Sequence, residues 1–397
     1  MWYALPAFGR AKMTENHFQI SGQIEGEAEG GEWFCRSEYW QKMPSRRAVP
    51  NKKFRYREPL ILCGRGINLR VDHATLLVRN GFTHYPQKAE EIRFFPGDPN
   101  LPDRIIISDG KGAVTLDALA WMADQRIEFV QLNFQGRTII LGGNSRYSAK
   151  PELVEAQRAA KAGNSKIEIA RWLITSKIEE TIATAKTIIP VSENREKALS
   201  RLEKCLSDIR DRNKLISMPK ILGIEGLAAV TYFQLWHGLP LRWTGLSRKP
   251  VPADWSRIGP RLMTWRGKAK YQNARHPINA MLNYGYAILT AHLRTRISAV
   301  GLDPNIGMMH GNSENRMPLV YDLMEPLRPV VDRNILEFAL GNTFSPGDFA
   351  INRAGGCRLN PQLAKAVIER CDFSTEAAQR TQTFVRLLQA VRPKSTN

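Results

Sequence analysis

The sequence predicts an α+β protein: a small N-terminal β-rich domain followed by a large all-α domain. Three observations carry this reading. Over residues 58–148, short runs of branched apolar residues are bounded by Gly and Asn. Over residues 149–397, apolar residues recur mainly at helical spacing. The chain's 397 residues also exceed one ordinary compact domain.

Residues 1–57 form an extension unlike the rest. Gly and Glu cluster in QIEGEAEGGEW, and a basic, aromatic patch runs from Arg46 to Arg57. This composition predicts an irregular or partly ordered extension, with a small strand pair as the alternative. In the β-rich domain, PLILCGRGINLRV and ATLLVRNG read as strands, and RIIISDGKG as a strand closing in a Gly-containing turn. The GKG triplet lacks the glycine spacing and the Lys–Ser/Thr ending of a phosphate loop. VTLDALAWMADQR carries helical periodicity, and IEFVQLNF and RTIILGG read as two further strands. Ser145–Lys150 is a polar, basic connector. Helical runs then follow: PELVEAQRAAKAG, KIEIARWLITSKIEETIATAKTI, REKALSRLEKCLSDIR, INAMLNYGYAILTAHLRTRISAV and LAKAVIERC. The stretch Pro240–Arg275, rich in Pro, Trp and Arg, predicts a loop or a short strand pair.

Charge narrows the function classes. Lys plus Arg number 57 against 38 Asp plus Glu, a formal net charge of +19. Such an excess favours a polyanionic partner, nucleic acid above all, because basic side chains displace counterions condensed on phosphates. The five cysteines are scattered and never at CxxC spacing. They argue against a disulfide framework or a thiolate zinc site and suit a reducing, cytoplasmic setting. Neither a signal segment nor an apolar run of about 20 residues is present.

Candidate chemistry centres on a few residues. Glu225 lies among small and apolar residues in GIEGLAAVTYF, where a buried carboxylate requires a partner. A place on the helix's solvent face is the competing reading. His310 follows a Met pair and stands upstream of Asp322 and Glu325. A lone histidine there serves either as hydrogen-bonded structure or as a ligand. Asp322 and Glu325, three apart, share one face if helical. Pro326 disfavours αR at Glu325, and Asp322 can instead act as an N-cap. Together Glu225, His310 and Glu325 offer two oxygen donors and one nitrogen donor. Such a thiolate-free set suits Mg²⁺ or Mn²⁺, with imidazole favouring Mn²⁺.

Arg316 and Arg328 flank the acidic pair and suit phosphate, or else pair with Asp322, Glu325 or Asp332. Arg242, Arg248, Arg257, Arg261 and Arg266 interleave with Trp243, Trp255, Trp265 and Tyr271. That composition fits a DNA-binding surface with stacking platforms, and ordinary packing of each tryptophan fits equally.

Several ordered blocks then point to one family: SDGKGAVTLDALAWMADQRIEFVQLNFQGR, IARWLITSKIEE, GIEGLAAVTYF, NARHPINAMLNYGYAIL and GLDPNIGMMH. The most specific are RMPLVYDLMEPLRPVVD and DFAINRAGGCRLN. From Pro59 to its C-terminal region the chain resembles the CRISPR-associated endonuclease Cas-one family, the integrase of CRISPR adaptation. The resemblance implies metal ligands at Glu225, His310 and Glu325 with Asp322 beside them. It thereby makes the all-α domain the metal-binding catalytic one. It further implies a homodimer formed through the β-rich domain and a companion Cas-two dimer. The implied activity is insertion of a captured double-stranded DNA fragment into a repeat by 3′-hydroxyl transesterification. Pro318 stands where the family commonly has Ser, and residues 1–57 have no counterpart. A transposon-type integrase of the same fold and a non-catalytic DNA-binding scaffold are the alternatives.

Overall fold

The computed structural model describes residues 27–43, 59–84, 87–88, 90–143, 149–211, 217–259, 274–310, 317–353 and 355–391. The first described element is a helix, α1 (Glu27–Lys42), followed among the described residues by strands β1 (Leu60–Asp72), β2 (Thr75–Arg79), β3 (Glu91–Phe94) and β4 (Arg104–Val114). Helix α2 (Leu116–Asp124) precedes β5 (Glu128–Leu132) and β6 (Thr138–Gly142). These strands make one sheet in the order β3-β2-β1-β4-β5-β6. The β1–β4 and β4–β5 pairs are parallel, and the others are antiparallel.

Parallel central strands need cover on both faces, and the alternation of side chains supplies it. Leu62, Ile105, Ile107 and Phe129 face a core shared with Ala118 and Met122 of α2. Ile61, Ile106 and Val130 point the other way, into the core of the helical lobe. The Thr115 hydroxyl accepts from the Ala118 backbone N–H and starts α2. The GKG triplet is strand rather than turn, since β4 continues through it with an irregular register against β1. The backbone of Ile67 lies so close that any side chain at Gly112 would overlap it.

The helical lobe begins with α3 (Pro151–Ala162), α4 (Ser165–Ile188), α5 (Glu193–Arg210) and α6 (Met218–Gln234). After β7 (Arg242–Trp243) come α7 (Pro277–Val300), α8 (Pro318–Met324) and α9 (Arg328–Gly341). The chain continues through β8 (Thr343–Phe344), β9 (Phe349–Ile351) and β10 (Cys357–Leu359) to α10 (Pro361–Glu369) and α11 (Ser374–Val391). Helix α7 is central, with most of its residues buried. It starts on Pro277 with the His276 imidazole accepting from the Ile278 N–H. It stops where Gly301 turns left-handed at φ 90°. No described helix is long and apolar enough to cross a membrane.

The reading of the second lobe is corrected. The lobe is mixed rather than all-α: β7 pairs in parallel with β8, and β9 pairs with β10. These two- and three-residue strands are too short to leave a periodic signal. In the extension, the described residues form helix α1 and no strand pair. Tertiary docking makes that helix. Arg36 Nε and Nη2 donate to the two carboxylate oxygens of Asp348 at 2.7 and 2.9 Å, and Trp40 Nε1 donates to the same carboxylate at 2.7 Å. Ser37 donates to Asn360 at 2.9 Å, and Asn360 donates back to the Trp33 carbonyl at 2.9 Å. Arg36→Leu deprives a fully buried carboxylate of its cation. We expect a loss of about 2 kcal/mol in urea denaturation. An unchanged unfolding midpoint would show that α1 is not tethered there.

Candidate active site

Four helical segments meet at one acidic centre. Glu225 comes from α6, Lys177 from the middle of α4, Glu325 from the single 3₁₀ turn Glu325–Leu327 after α8, and Arg328 from the start of α9. Pro326 explains the turn: it interrupts the α-helical path without ending the chain's helical course, so α8 and α9 are joined by 3₁₀ geometry. Lys177 Nζ donates to Glu225 Oε1 at 2.5 Å and to Glu325 Oε2 at 2.6 Å. Arg328 Nε donates to the other oxygen of Glu325 at 2.9 Å, and its guanidinium lies over the Tyr286 ring at 5.2 Å.

Electrostatics follow from this packing. Burial pushes the Glu325 carboxyl upward, but Arg328, Lys177 and His310 outweigh it and bring it down to about 2. Burial likewise works against the Lys177 ammonium, yet Glu325 and Glu225 hold it above the ordinary lysine value. Both groups are therefore charged at neutral pH.

Asp322 lies one helical turn before Glu325 and is fully buried in α8 rather than capping it. Its carboxylate accepts from the backbone N–H groups of Met308, Met309 and His310, and from His310 Nδ1 at 2.7 Å. Asp322 thus folds the 308–310 loop onto α8 and fixes the imidazole. With the carboxylate as acceptor, Nδ1 carries the proton of the neutral imidazole, and in that form Nε2 keeps its lone pair. This is the carboxylate–histidine pairing that orients ligating imidazoles. The His310 side chain is 40% exposed.

The Asp322 hydrogen bond, partly opposed by burial, raises the His310 pKa above its ordinary 6.5. The sign of the linkage is set by that direction. The stabilisation is fully present below the unfolded value of about 6.5 and is lost as pH rises through the folded one. An NMR titration is expected to put the His310 midpoint above 6.5, with Asp322→Asn moving it down. A wild-type midpoint at or below 6.5 contradicts the pairing.

The sequence-predicted trio is only partly gathered. Glu225 and Glu325 converge on one cationic atom, while His310 is turned to Asp322. Among the described residues no three His, Cys, Asp or Glu side chains are grouped to hold a metal. The described residues therefore do not show the expected metal-binding domain; an ammonium stands between the carboxylates. The carboxylates nevertheless fit a cation, since Lys177 Nζ already occupies the point on which both converge.

The predicted basic surface is dispersed. Arg242 donates to the Leu340 carbonyl at 2.7 Å and Arg257 to the Gly238 carbonyl at 3.0 Å, and both are exposed, as is Arg248. Arg261, Arg266, Arg316, Trp265 and Tyr271 lie outside the described residues. Trp243 and Trp255 stack on each other at 6.1 Å and pack against Phe349, so both serve the core. Sequence reasoning missed Lys177 and Tyr286. For Lys177 a signal existed: it continues the buried positions Ala170, Leu173 and Ile174 on one face of α4.

A six-stranded sheet lobe joined to a helical lobe with a carboxylate–lysine–histidine centre defines an α+β protein with an acidic site drawn from distant helices. Residues 60–372 match the family model described as CRISPR associated protein Cas1, and the chain belongs to that family. It is 27% identical over 328 residues to a CRISPR-associated endonuclease Cas1 of Archaeoglobus fulgidus, covering 78% of this chain and 89% of that protein. Its fold is similar to a casposase bound to integration product, with a TM-score of 0.65 at 24% identity over 85% of this chain and 92% of the other. It is also similar to a chain of a Cas6-RT-Cas1–Cas2 complex, with a TM-score of 0.61 at 18% identity over 85% of this chain and 35% of that longer one.

Proposed function

We propose that this chain is a divalent-metal-dependent DNA endonuclease and integrase that inserts captured fragments as new spacers into a CRISPR array. The observation that carries the reading is the convergence of Glu225 and Glu325 on one cation, beside a histidine oriented by Asp322, in a member of the Cas1 family. Glu225, Glu325 and the free Nε2 of His310 would hold Mg²⁺ or Mn²⁺. Such an ion, when bound, polarises a phosphate and neutralises the charge that develops on it.

The protein's own groups supply the rest. Asp322 keeps the imidazole in one tautomer and orientation. Arg328, held by Glu325 and by the Tyr286 ring, keeps a positive charge at the centre. The reaction is a transesterification: a fragment's 3′-oxygen forms a bond to phosphorus as the bond to the repeat strand's own 3′-oxygen breaks. The attacking hydroxyl gives up its proton, and the leaving 3′-oxygen takes the electron pair and ends as a hydroxyl. One phosphodiester is exchanged for another of the same kind, so no external energy source is needed. The net charge of +19 supports a double-stranded DNA partner.

Homodimer formation through the sheet lobe is supported by Leu116 and Leu119 of α2 and Ile139 and Ile140 of β6, apolar side chains left exposed on that lobe. A companion Cas2 dimer is proposed from the complex that the structurally similar chain forms. The test is joining of a labelled short duplex to repeat DNA with Mn²⁺ or Mg²⁺. We expect joined product that a chelator suppresses; DNA binding without joining would favour a scaffold instead.

A further inference from the structure

Lys177 is the member of the centre that the ligand set does not explain. Its placement is built into the fold. It lies in mid-α4 with Leu173, Ile174 and Thr181 buried around it, and its side chain is only 16% exposed. The Thr181 hydroxyl donates to the Lys177 carbonyl at 2.8 Å, one turn along the same helix. Two of the three ammonium donors are spent on carboxylates from two other elements, Glu225 on α6 and Glu325 after α8.

Without this ammonium, two carboxylates would face each other at a site where Glu325 is 7% exposed. Like charges brought together away from water repel, and the loss of one partner leaves the others uncompensated. Arg328 cannot substitute, because it engages the opposite oxygen of Glu325. The centre therefore needs a cation between its two acids at all times.

We propose that Lys177 is the resident counter-cation of this centre: it holds Glu225 and Glu325 together in the metal-free protein and yields the same oxygens to a divalent ion. This inference rests on the metal reading above. Metal uptake is then an exchange, ammonium out and divalent ion in. The measured affinity is lowered by the fraction of molecules in which Lys177 occupies the site. A lysine suits the role better than an arginine, being a compact charge on a flexible stem that can withdraw. Lys177 is in this sense a positioning residue, acting through the two carboxylates.

Competition makes an unusual prediction, because a purely structural lysine would weaken metal binding when removed. Lys177→Met in the full-length chain is expected to bind Mn²⁺ at least roughly tenfold more tightly, read from the free-ion signal in electron paramagnetic resonance. The metal-free variant should melt lower than wild type, and saturating Mn²⁺ should raise its melting temperature by more. Lys177→Gln serves as a second neutral variant. If both fold only when Mn²⁺ is present, the counter-cation role is likewise supported. Unchanged or weaker Mn²⁺ binding by folded variants overturns the inference. In that case, loss of binding in Glu225→Gln would leave the metal reading standing. Absence of Mn²⁺ binding in wild type and both variants would instead remove the metal reading itself.

Discussion

Replacing Glu225 by glutamine is expected to lower DNA strand transfer by more than about a hundredfold while leaving the fold intact. The size follows from what the change removes. Glutamine keeps the length and the hydrogen-bonding capacity of the side chain but deletes one of two anionic oxygen donors. Charge stabilisation by a bound divalent ion contributes several kcal/mol to such reactions, and about 1.4 kcal/mol is tenfold in rate. Stability should change little, since α6 is partly solvent-facing: Leu222, Leu227 and Val230 on the same helix are exposed. Lys177 would retain Glu325 as its partner at 2.6 Å. The measurement is joined product per unit time under saturating Mn²⁺, beside a thermal melt. Transfer at the wild-type rate would remove Glu225 from the active centre.

Asp322→Ala is expected to be the most disruptive single change in the centre, costing about 5 kcal/mol of stability and abolishing activity. The carboxylate is fully buried and accepts from three consecutive backbone N–H groups and an imidazole. Alanine strands all of these donors. Each buried donor left without a partner costs about 1–3 kcal/mol, and the cavity adds to it. Gly307 packs against the same carboxylate, so the whole turn before His310 depends on it. Urea denaturation measures the loss, and a value under about 2 kcal/mol would mean that the loop finds other acceptors. His310→Ala, which leaves Asp322 its backbone donors, should cost far less stability for a similar loss of transfer.

The parts of this molecule that were legible in the sequence are those whose signal is local. Leu62, Ile105 and Ile107 alternate with Ile61 and Ile106 in the pattern of a two-faced sheet, and the apolar run of α7 announces a buried helix. Glu225 stood out as a lone charge among small residues. What was illegible depends on distant partners. Lys177 continues the buried face of α4, but its role shows only when Glu225 and Glu325, 48 and 148 residues away, close on it. Strand β7 exists only because β8, a hundred residues later, lies beside it. The Gly-rich sequence of α1 has weak helical propensity, and its helicity comes from burying Ser37 and Trp40 on the helical lobe. The GKG triplet reads as a turn because glycine usually marks one; here it marks a close approach of two strands.

The docking of α1 also has a consequence in time. Arg36 and Trp40 lie 312 and 308 residues before Asp348, and Trp33 lies 327 before Asn360. A ribosome releases α1 well before any of these partners has been made. A sixteen-residue helix of weak propensity is marginal alone in water, whereas the sheet lobe can assemble as soon as β6 emerges. This early-made helix is therefore among the last to settle, and its arrival closes a loop of 312 residues. Nascent chains halted before Asp348 would carry α1 as an unanchored arm, open to proteases and to chaperones that bind apolar segments.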